Sequence, residues 1–438
     1  MSQQVAVIGA GWAGCSAAVE LAVHGRRVTV FEAARLPGGR ARKISLNGYD
    51  VDNGQHILLG AYSETLRLMQ LVGIDINASL LRLPLQMRYP NNTGMDFVAA
   101  RLPTPLNLLI GMLSATGLSL ADKFALVGFS HSARKITWEL EDDCSVTALL
   151  HRFRQTDRLI KLMWRPLCLA ALNTPPDESS AQVFLNVLKD SLGSHSASAD
   201  MLLPRTDLSA LFPQRAIDYV SSHSGFVRYG ARVQSLQHNG SGWQVHTTSH
   251  STTPDEFDQV IIATDLHNAA TLLDPLTVDT VLPSMSYQPI TTCYLKYADD
   301  CRLDSAFYAL IDDYSIGHWG QFVFDRGHLN VSQQGLFAVV ISAATLAVRI
   351  DHDTLIGAIC AQLVSVFART EFANPLWSKV ISEKRATFCC VPGLARPTNA
   401  TEINQIKLAG DYTVSPYPAT LEAAVRSGVK AAQLLIER

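Results

Sequence analysis

At 438 residues the chain exceeds what a single apolar core ordinarily organises, so two interleaved domains are expected. Hydrophobic residues make up 47% and charged residues 17%, which points to large cores or to a surface that meets lipid. A net charge of −3, with no basic stripe or nucleic-acid motif, sets nucleic-acid binding aside. The eight cysteines (Cys15, Cys144, Cys168, Cys293, Cys301, Cys360, Cys389 and Cys390) form no C-x-x-C pair and no zinc spacing, and read as reduced thiols of a cytoplasmic protein. The first residues lack the basic and apolar regions of a secretion leader, so none is expected.

In chain order, residues 5–8 read as a short buried strand, residues 9–14 as a glycine turn, and residues 15–24 as a helix of small and aliphatic residues ended by Gly25. Residues 27–31 supply the next strand and complete a βαβ unit. The turn Gly9-Ala10-Gly11-Trp12-Ala13-Gly14 matches G-x-G-x-x-G. Gly9 makes the tight bend, Gly11 admits a pyrophosphate to the backbone, and Gly14 packs helix on strand. The helix starting there aims its N–H groups and positive dipole end at the phosphates. Glu32 closes the second strand eighteen residues after Gly14, where a carboxylate accepts ribose hydroxyls. The three features together predict a dinucleotide site.

Residues 102–121 carry no charge, but two prolines, two glycines, Asn107 and four hydroxyl residues interrupt them, which argues against a spanning helix. The expectation is a core or tunnel-lining helical segment, with a face that dips into one leaflet as the second reading. Residues 104–195 are helical in pattern, broken at Pro166, Pro175 and Pro176. Residues 227–248 read as a hairpin turning at Asn239-Gly240, and residues 259–263 as a strand leading into Thr264-Asp265. Residues 286–350 hold β-branched and aromatic runs that read as sheet. A last strand at 406–409 leads through Gly410-Asp411 to a helix at about 419–437. The expected fold class is α/β: a Rossmann-like FAD-binding domain in the pieces 1–85, 225–285 and 386–438, with an α+β substrate domain inserted as 86–224 and 286–385.

The choice of FAD rests on resemblance. Arg35, Gly38, Gly39 and Arg40 stand where flavoproteins of the amine-oxidase and carotenoid-desaturase type carry R-x-x-G-G-R. Paired glycines let that loop press on the cofactor, and Arg40 offers a forked cation to the pyrophosphate. Leu408-Ala409-Gly410-Asp411 resembles the second FAD motif of those proteins, in which the aspartate binds the ribityl chain. The stretch from Ala419-Thr420-Leu421 onward resembles the helix facing the flavin. Val233 and Ala263 fall on strands that the resemblance places at the cofactor. No second G-x-G-x-x-G and no redox-active cysteine pair is visible, so one flavin is expected to act on one organic substrate.

Asp52-Asn53-Gly54-Gln55-His56, Trp164-Arg165-Pro166-Leu167, Ala171-Leu172-Asn173-Thr174-Pro175 and Tyr417-Pro418-Ala419-Thr420 resemble the squalene-associated desaturases, described as hydroxysqualene dehydroxylases, over the whole chain. The resemblance implies a long apolar isoprenoid substrate and hydride delivery to an allylic alcohol. It also implies peripheral contact with the inner membrane face and association with the other enzymes of a bacterial route to squalene. His56 is the first candidate for acid or substrate-orienting group, Asn53 stands beside it as a further catalytic candidate, and Asp265 is a rival acid; the alternative for His56 and Asn53 alike is a hydrogen bond to the flavin or the loop backbone. Gly54 and Gln55 are expected at the cofactor. Trp164, Tyr287, Tyr294 and Trp319 read as pocket lining or as ordinary core. A carotenoid-type desaturase and a flavin amine oxidase are the alternatives; a flavin-bearing scaffold is the non-enzymatic one. No metal is expected.

Overall fold

Residues 5–8 are apolar without alternation because the strand Gln4–Ile8 is covered on both faces, and all four are buried. In the computed structural model, which describes residues 3–102, 106–192, 196–248, 255–276 and 282–437, this strand is the middle of a five-stranded parallel sheet. The sheet order is Phe226–Tyr229, Arg27–Glu32, Gln4–Ile8, Gln259–Ile262 and Ile406–Leu408. One nucleotide fold is therefore assembled from the start, middle and end of the chain.

The helix Trp12–Val23 is buried on nearly every side, and its small residues are the reason. It packs on the sheet, on the helix Pro213–Ser222 and on the C-terminal helix Leu421–Ile436. At the last crossing a Cβ on Gly428 would lie 2.1 Å from the carbonyl oxygen of Ala13, so backbones touch where side chains ordinarily separate helices. The buried acid of this helix, Glu20, pairs with Arg67 at 3.0 Å. The helices Leu208–Leu211 and Pro213–Ser222 precede residue 225, yet Leu208, Phe212, Ile217 and Val220 belong to this same core.

Residues 227–229 do not open the hairpin. They form the edge strand Phe226–Tyr229, paired parallel to Arg27–Glu32, and the hairpin proper runs from Val233–His238 to Trp243–Thr247 across Asn239-Gly240. The preceding helix decides this. After Pro213–Ser222 the chain bends tightly at Gly225, where a Cβ would meet the Val220 and Val28 carbonyls at 2.8 and 3.0 Å, and it returns to the sheet as a parallel crossover.

The second domain is built on an antiparallel sheet in the order Phe307–Ala309, Phe322–Asp325, Leu336–Ile341, Tyr287–Lys296 and Trp377–Phe388. Alternation sorts its residues. Tyr294, Phe324, Ala338 and Val340 face one apolar cluster, while Cys293, Val323, Phe337 and Val339 face the helix His352–Phe367. Helices fill residues 106–192, as expected. The helix Arg165–Leu172 ends at Asn173 in the left-handed conformation (φ 47°), and the Asn173 side chain ties helix to sheet. Its Nδ2 donates to the Thr387 hydroxyl at 2.9 Å and to the Gln288 carbonyl at 3.2 Å, and its Oδ1 accepts from the Ala343 N–H at 2.6 Å.

The uncharged stretch at 102–121 departs from expectation; Pro103 and Pro105 within it lie outside the described residues. It splits into the helices Leu106–Ser114 and Leu120–Lys135, the second opened by a capping box between Ser119 and Asp122. The break keeps either helix too short to span, and no helix among the described residues is long and apolar enough to cross a membrane. The segment borders the cores on one side only, through Leu108, Met112, Ala115 and Leu118, and none of its residues is in the cavity lining. Asn107 and Gly111 are its buried residues in the first helix, and most of its large aliphatic side chains face outward.

The closest helix crossing gives a packing test. Gly428→Ala is expected to lower stability by about 1–3 kcal/mol, because the added methyl overlaps the Ala13 carbonyl and the two helices must part. Thermal denaturation reads it; an unchanged midpoint would show that the crossing tolerates separation.

Candidate active site

Two glycine loops meet without side chains between them. A Cβ on Gly9 (φ +106°) would lie 2.7 Å from the Ala263 oxygen, and one on Gly14 only 1.8 Å from the Gly9 oxygen, so strand, turn and helix are pressed together. Gly38 N–H donates to the Ala10 carbonyl at 2.8 Å, and a Cβ on Gly39 would lie 3.2 Å from Gly11 Cα. Glu32 anchors the same place. Its two carboxylate oxygens accept the Ala10 and Ala34 N–H groups, each at 2.7 Å.

The slot opens into a cavity of about 920 Å³, at the upper end of the range for small-molecule sites. Gly9, Gly11, Ala13, Glu32, Gly38, Gly39, Arg40, Asn53, Gly54, Gln55, His56, Val233, Ala263, Asp265, Gly410, Asp411, Ala419, Thr420 and Leu421 all line it. Gly14 lies behind the wall as packing, and Arg35 is exposed and outside the lining. Along one side run polar groups and bare backbone. The other side is apolar, formed by Leu85, Met87, Leu167, Ile290, Phe322 and Phe324.

Two cations line this site, Arg40 and the exposed Arg232, and Arg40 is the one held by an acid. Its guanidinium donates to Asp411 Oδ1 and to the Ala386 carbonyl, both at 2.7 Å, and the Asp411 charge raises its pKa further. Arg40 thus clamps the 411 loop to the second domain's edge strand. The helix Leu421–Ile436 begins at Thr420, whose hydroxyl accepts the Ala423 N–H at 3.1 Å, so its positive end faces the cavity.

The five residues 52–56 divide their work. Asp52 is buried and structural: Oδ1 accepts the Leu208 N–H at 2.7 Å, and its carbonyl accepts the Tyr294 hydroxyl at 2.8 Å. Tyr294 is therefore core, as is Trp164, which is buried with its indole N–H on Gln155 at 2.9 Å. Asn53 Nδ2 donates to the Arg40 carbonyl and to Glu383 Oε2, both at 3.2 Å. Gln55 Oε1 accepts from Arg326, a buried guanidinium also held by Gln333 at 2.6 Å. His56 Nδ1 sits 2.7 Å from the Gly54 carbonyl, which fixes the proton on Nδ1. Burial holds the imidazole below its ordinary pKa, and the Arg40 charge pushes the same way against that hydrogen bond. Neutral His56 then presents Nε2 as an acceptor.

Asp265 has another duty. Oδ1 accepts the His267 and Asn268 N–H groups at 3.1 Å and Oδ2 accepts the Asn268 amide, so its carboxylate caps the helix Leu266–Leu273 at the cavity wall. Glu383 is the lining carboxylate that Asn53 holds, and nothing in the strand sequence Lys379–Arg385 marked it. Arg396 escaped notice too. Half-buried over the Phe388 ring, it donates to the carbonyls of Asp411, Tyr412, Ser415 and Tyr417 and shapes the loop before the last helix.

These features fit FAD. Glycine backbones stand where a pyrophosphate must approach, Glu32 lies at a strand end, and a helix N-terminus faces the far end of the cavity. Two buried hydroxyls beside the lining glycines, Thr292 Oγ1 near Gly54 and Tyr412 Oη near Gly410, have no hydrogen-bond partner among the described residues. Fold and site define an FAD-dependent oxidoreductase. The family of flavin containing amine oxidoreductases matches residues 12–436, and the chain belongs to that family. Hydroxysqualene dehydroxylase of Rhodopseudomonas palustris is 28% identical over all of this chain and 99% of its own length. The zeta-carotene desaturase of Arabidopsis thaliana is 24% identical over 99% of this chain and 85% of its own. Among solved structures, an oxidoreductase from Methanosarcina mazei superposes with a TM-score of 0.73 at 16% identity, covering 99% of this chain and 100% of that one.

Asp52 supplies a pH test. Burial raises its pKa to about 7 against the opposing pull of Arg326 and the Leu208 N–H. The folded chain holds this proton where the unfolded chain, at about 3.9, has lost it. The associated stability is full below about pH 4 and is lost as pH rises through about 7. Asp52→Asn is expected to remove that decline and to be more stable than the parent at pH 8 by on the order of 2 kcal/mol. Parallel denaturation curves for both proteins from pH 4 to 8 would refute the assignment.

Proposed function

We propose that the protein removes the hydroxyl of hydroxysqualene to give squalene. The observation that carries this reading is the cavity itself, in which an apolar chamber adjoins a small polar group of His56, Asn53 and Glu383 at the flavin cradle. A long hydrocarbon with one internal alcohol matches that pattern, and the full-length similarity to hydroxysqualene dehydroxylases supports it.

Reduced FAD, when bound, supplies the hydride that replaces the departing oxygen. The chain's own groups do the rest. Neutral His56 accepts the substrate O–H at Nε2 and orients the alcohol. Glu383, steadied by Asn53, delivers a proton to the leaving oxygen, so that the C–O bond breaks with release of water. The walls formed by Leu167, Phe322 and Phe324 keep bulk water from the allylic cation. Asp411 and Arg40 are paired with each other and take no part in proton transfer.

The decisive assay mixes anaerobically reduced holoprotein with hydroxysqualene in detergent. Reoxidation of the flavin with squalene appearing in step is the expected result. The second reading, a carotenoid-type desaturase, is supported by the zeta-carotene desaturase relative; bleaching of the oxidised flavin by a polyene precursor, with hydroxysqualene inert, would establish it instead. Within the first reading, Glu383→Gln is expected to lower turnover by roughly 10²- to 10⁴-fold while FAD stays bound. His56→Phe is expected to raise KM and lower kcat together. Retained turnover in Glu383→Gln would move the proton to another donor.

A further inference from the structure

Of the nineteen large apolar side chains exposed among the described residues, nine lie between Val98 and Val127, so this surface is concentrated in one stretch. The spacing is helical. Leu106, Leu109 and Leu113 recur along one side of Leu106–Ser114, and Leu120, Phe124 and Val127 along one side of Leu120–Lys135. Exposure reaches 62% at Leu113, 74% at Leu120 and 75% at Phe124, at a place where the fold had polar residues to offer and turned them inward. The two helices meet where Lys123 of the second donates to the Leu113 carbonyl of the first at 2.6 Å.

Charge identifies what covers this face. Between residues 98 and 135 the cations are Arg101, Lys123, Arg134 and Lys135, and the sole acid is Asp122. Asp122 is buried, with its oxygens taken by Ser119 and Thr156, so the exposed charges that this stretch itself carries are cationic on a chain whose net charge is −3. A second copy docked by two-fold symmetry would bring these like charges together. An anionic bilayer surface accepts both the apolar face and its rim.

The other side of the same helices leads to the cavity. Gly111 packs its backbone on Val98 and Ala99, beside the strand Asp96–Val98 that pairs with the strand Gln86–Arg88. Met87 of that neighbouring strand lines the cavity. The Phe129 ring packs tilted on Trp164 with centroids 4.3 Å apart, and Trp164 leads directly into the helix Arg165–Leu172, whose Leu167 also lines it.

We propose that the outer face of Leu106–Ser114 and Leu120–Lys135 seats the protein in one leaflet of an anionic membrane, next to the apolar end of its cavity. The test is flotation of the FAD-loaded full chain with vesicles of phosphatidylcholine, with and without phosphatidylglycerol. It needs no substrate, so its outcome is separate from that of the reaction assigned above. The expected result is co-flotation with the phosphatidylglycerol vesicles, falling at least tenfold in Leu113→Glu/Phe124→Glu, with flavin content and thermal midpoint unchanged. Leu113→Ser/Phe124→Ser should show the same loss without added charge. Failure of the parent chain to float, equal flotation with both lipid mixtures, or undiminished flotation of the variants would each overturn the proposal. So would a lipid-free dimer that the variants convert to monomer, since the face would then belong to a second copy.

Discussion

Backbone touching backbone is the constraint on which this structure rests. Gly14 sits against Gly9 and Gly428 against Ala13 at separations that a methyl group would violate, and Gly39 sits against Gly11 at one that a methyl group would crowd. Close packing of this kind has no slack, because dispersion attraction forfeited at one point is not recovered by small shifts elsewhere. The helix Trp12–Val23 is consequently held on three sides, and its N-terminus is pinned at the mouth of the cavity. The N-terminal amides of that helix are thereby held in register with the two glycine loops.

Around that fixed point the chain builds a cavity with two chemically different walls. One derives from turns and strand ends of the parallel sheet, where backbone amides and a few charged groups converge. The other derives from the inward face of the antiparallel sheet and from the helix Arg165–Leu172. The seam between them is closed by directed polar contacts. Asn173 bonds three separate strand and loop positions, Arg40 reaches across to Asp411 and Ala386, and Arg326 holds Gln55. Each of these groups is satisfied, which matters because a buried polar group left unpaired would cost more than the pair contributes. A cofactor with a polar tail and a flat redox ring suits the first wall, and an apolar substrate the second.

The segment from Leu106 to Lys135 follows different rules from the rest of the fold. Elsewhere apolar side chains point inward and their exposure is scattered. Here a buried Asn107 and Gly111 lie under an exposed row of leucines, an inversion that costs stability in water and persists because the opposite face packs on both cores.

By itself the sequence determined the nucleotide fold. Its signals are local: a run of four buried apolar residues, glycines at fixed offsets, Glu32 at a strand end and an aspartate after the last strand. These follow from backbone geometry and helix dipoles, which act over a few residues, so they can be read in one dimension. The sheet of the second domain was legible for the same reason, through its β-branched and aromatic content. Tertiary structure alone decided the rest. Asp52 became structural rather than functional because Leu208 and Tyr294, distant in the chain, arrive at its oxygens. His56 became a neutral acceptor through burial beside Arg40, and Asp265 a helix cap through the helix it starts. Glu383 entered the site from a strand with no motif, placed there by pairing of Trp377–Phe388 with Tyr287–Lys296. The outward turn of the uncharged segment depended on what packed beneath it. Hydrophobicity specifies that a surface must be covered, and only the assembled fold specifies by what.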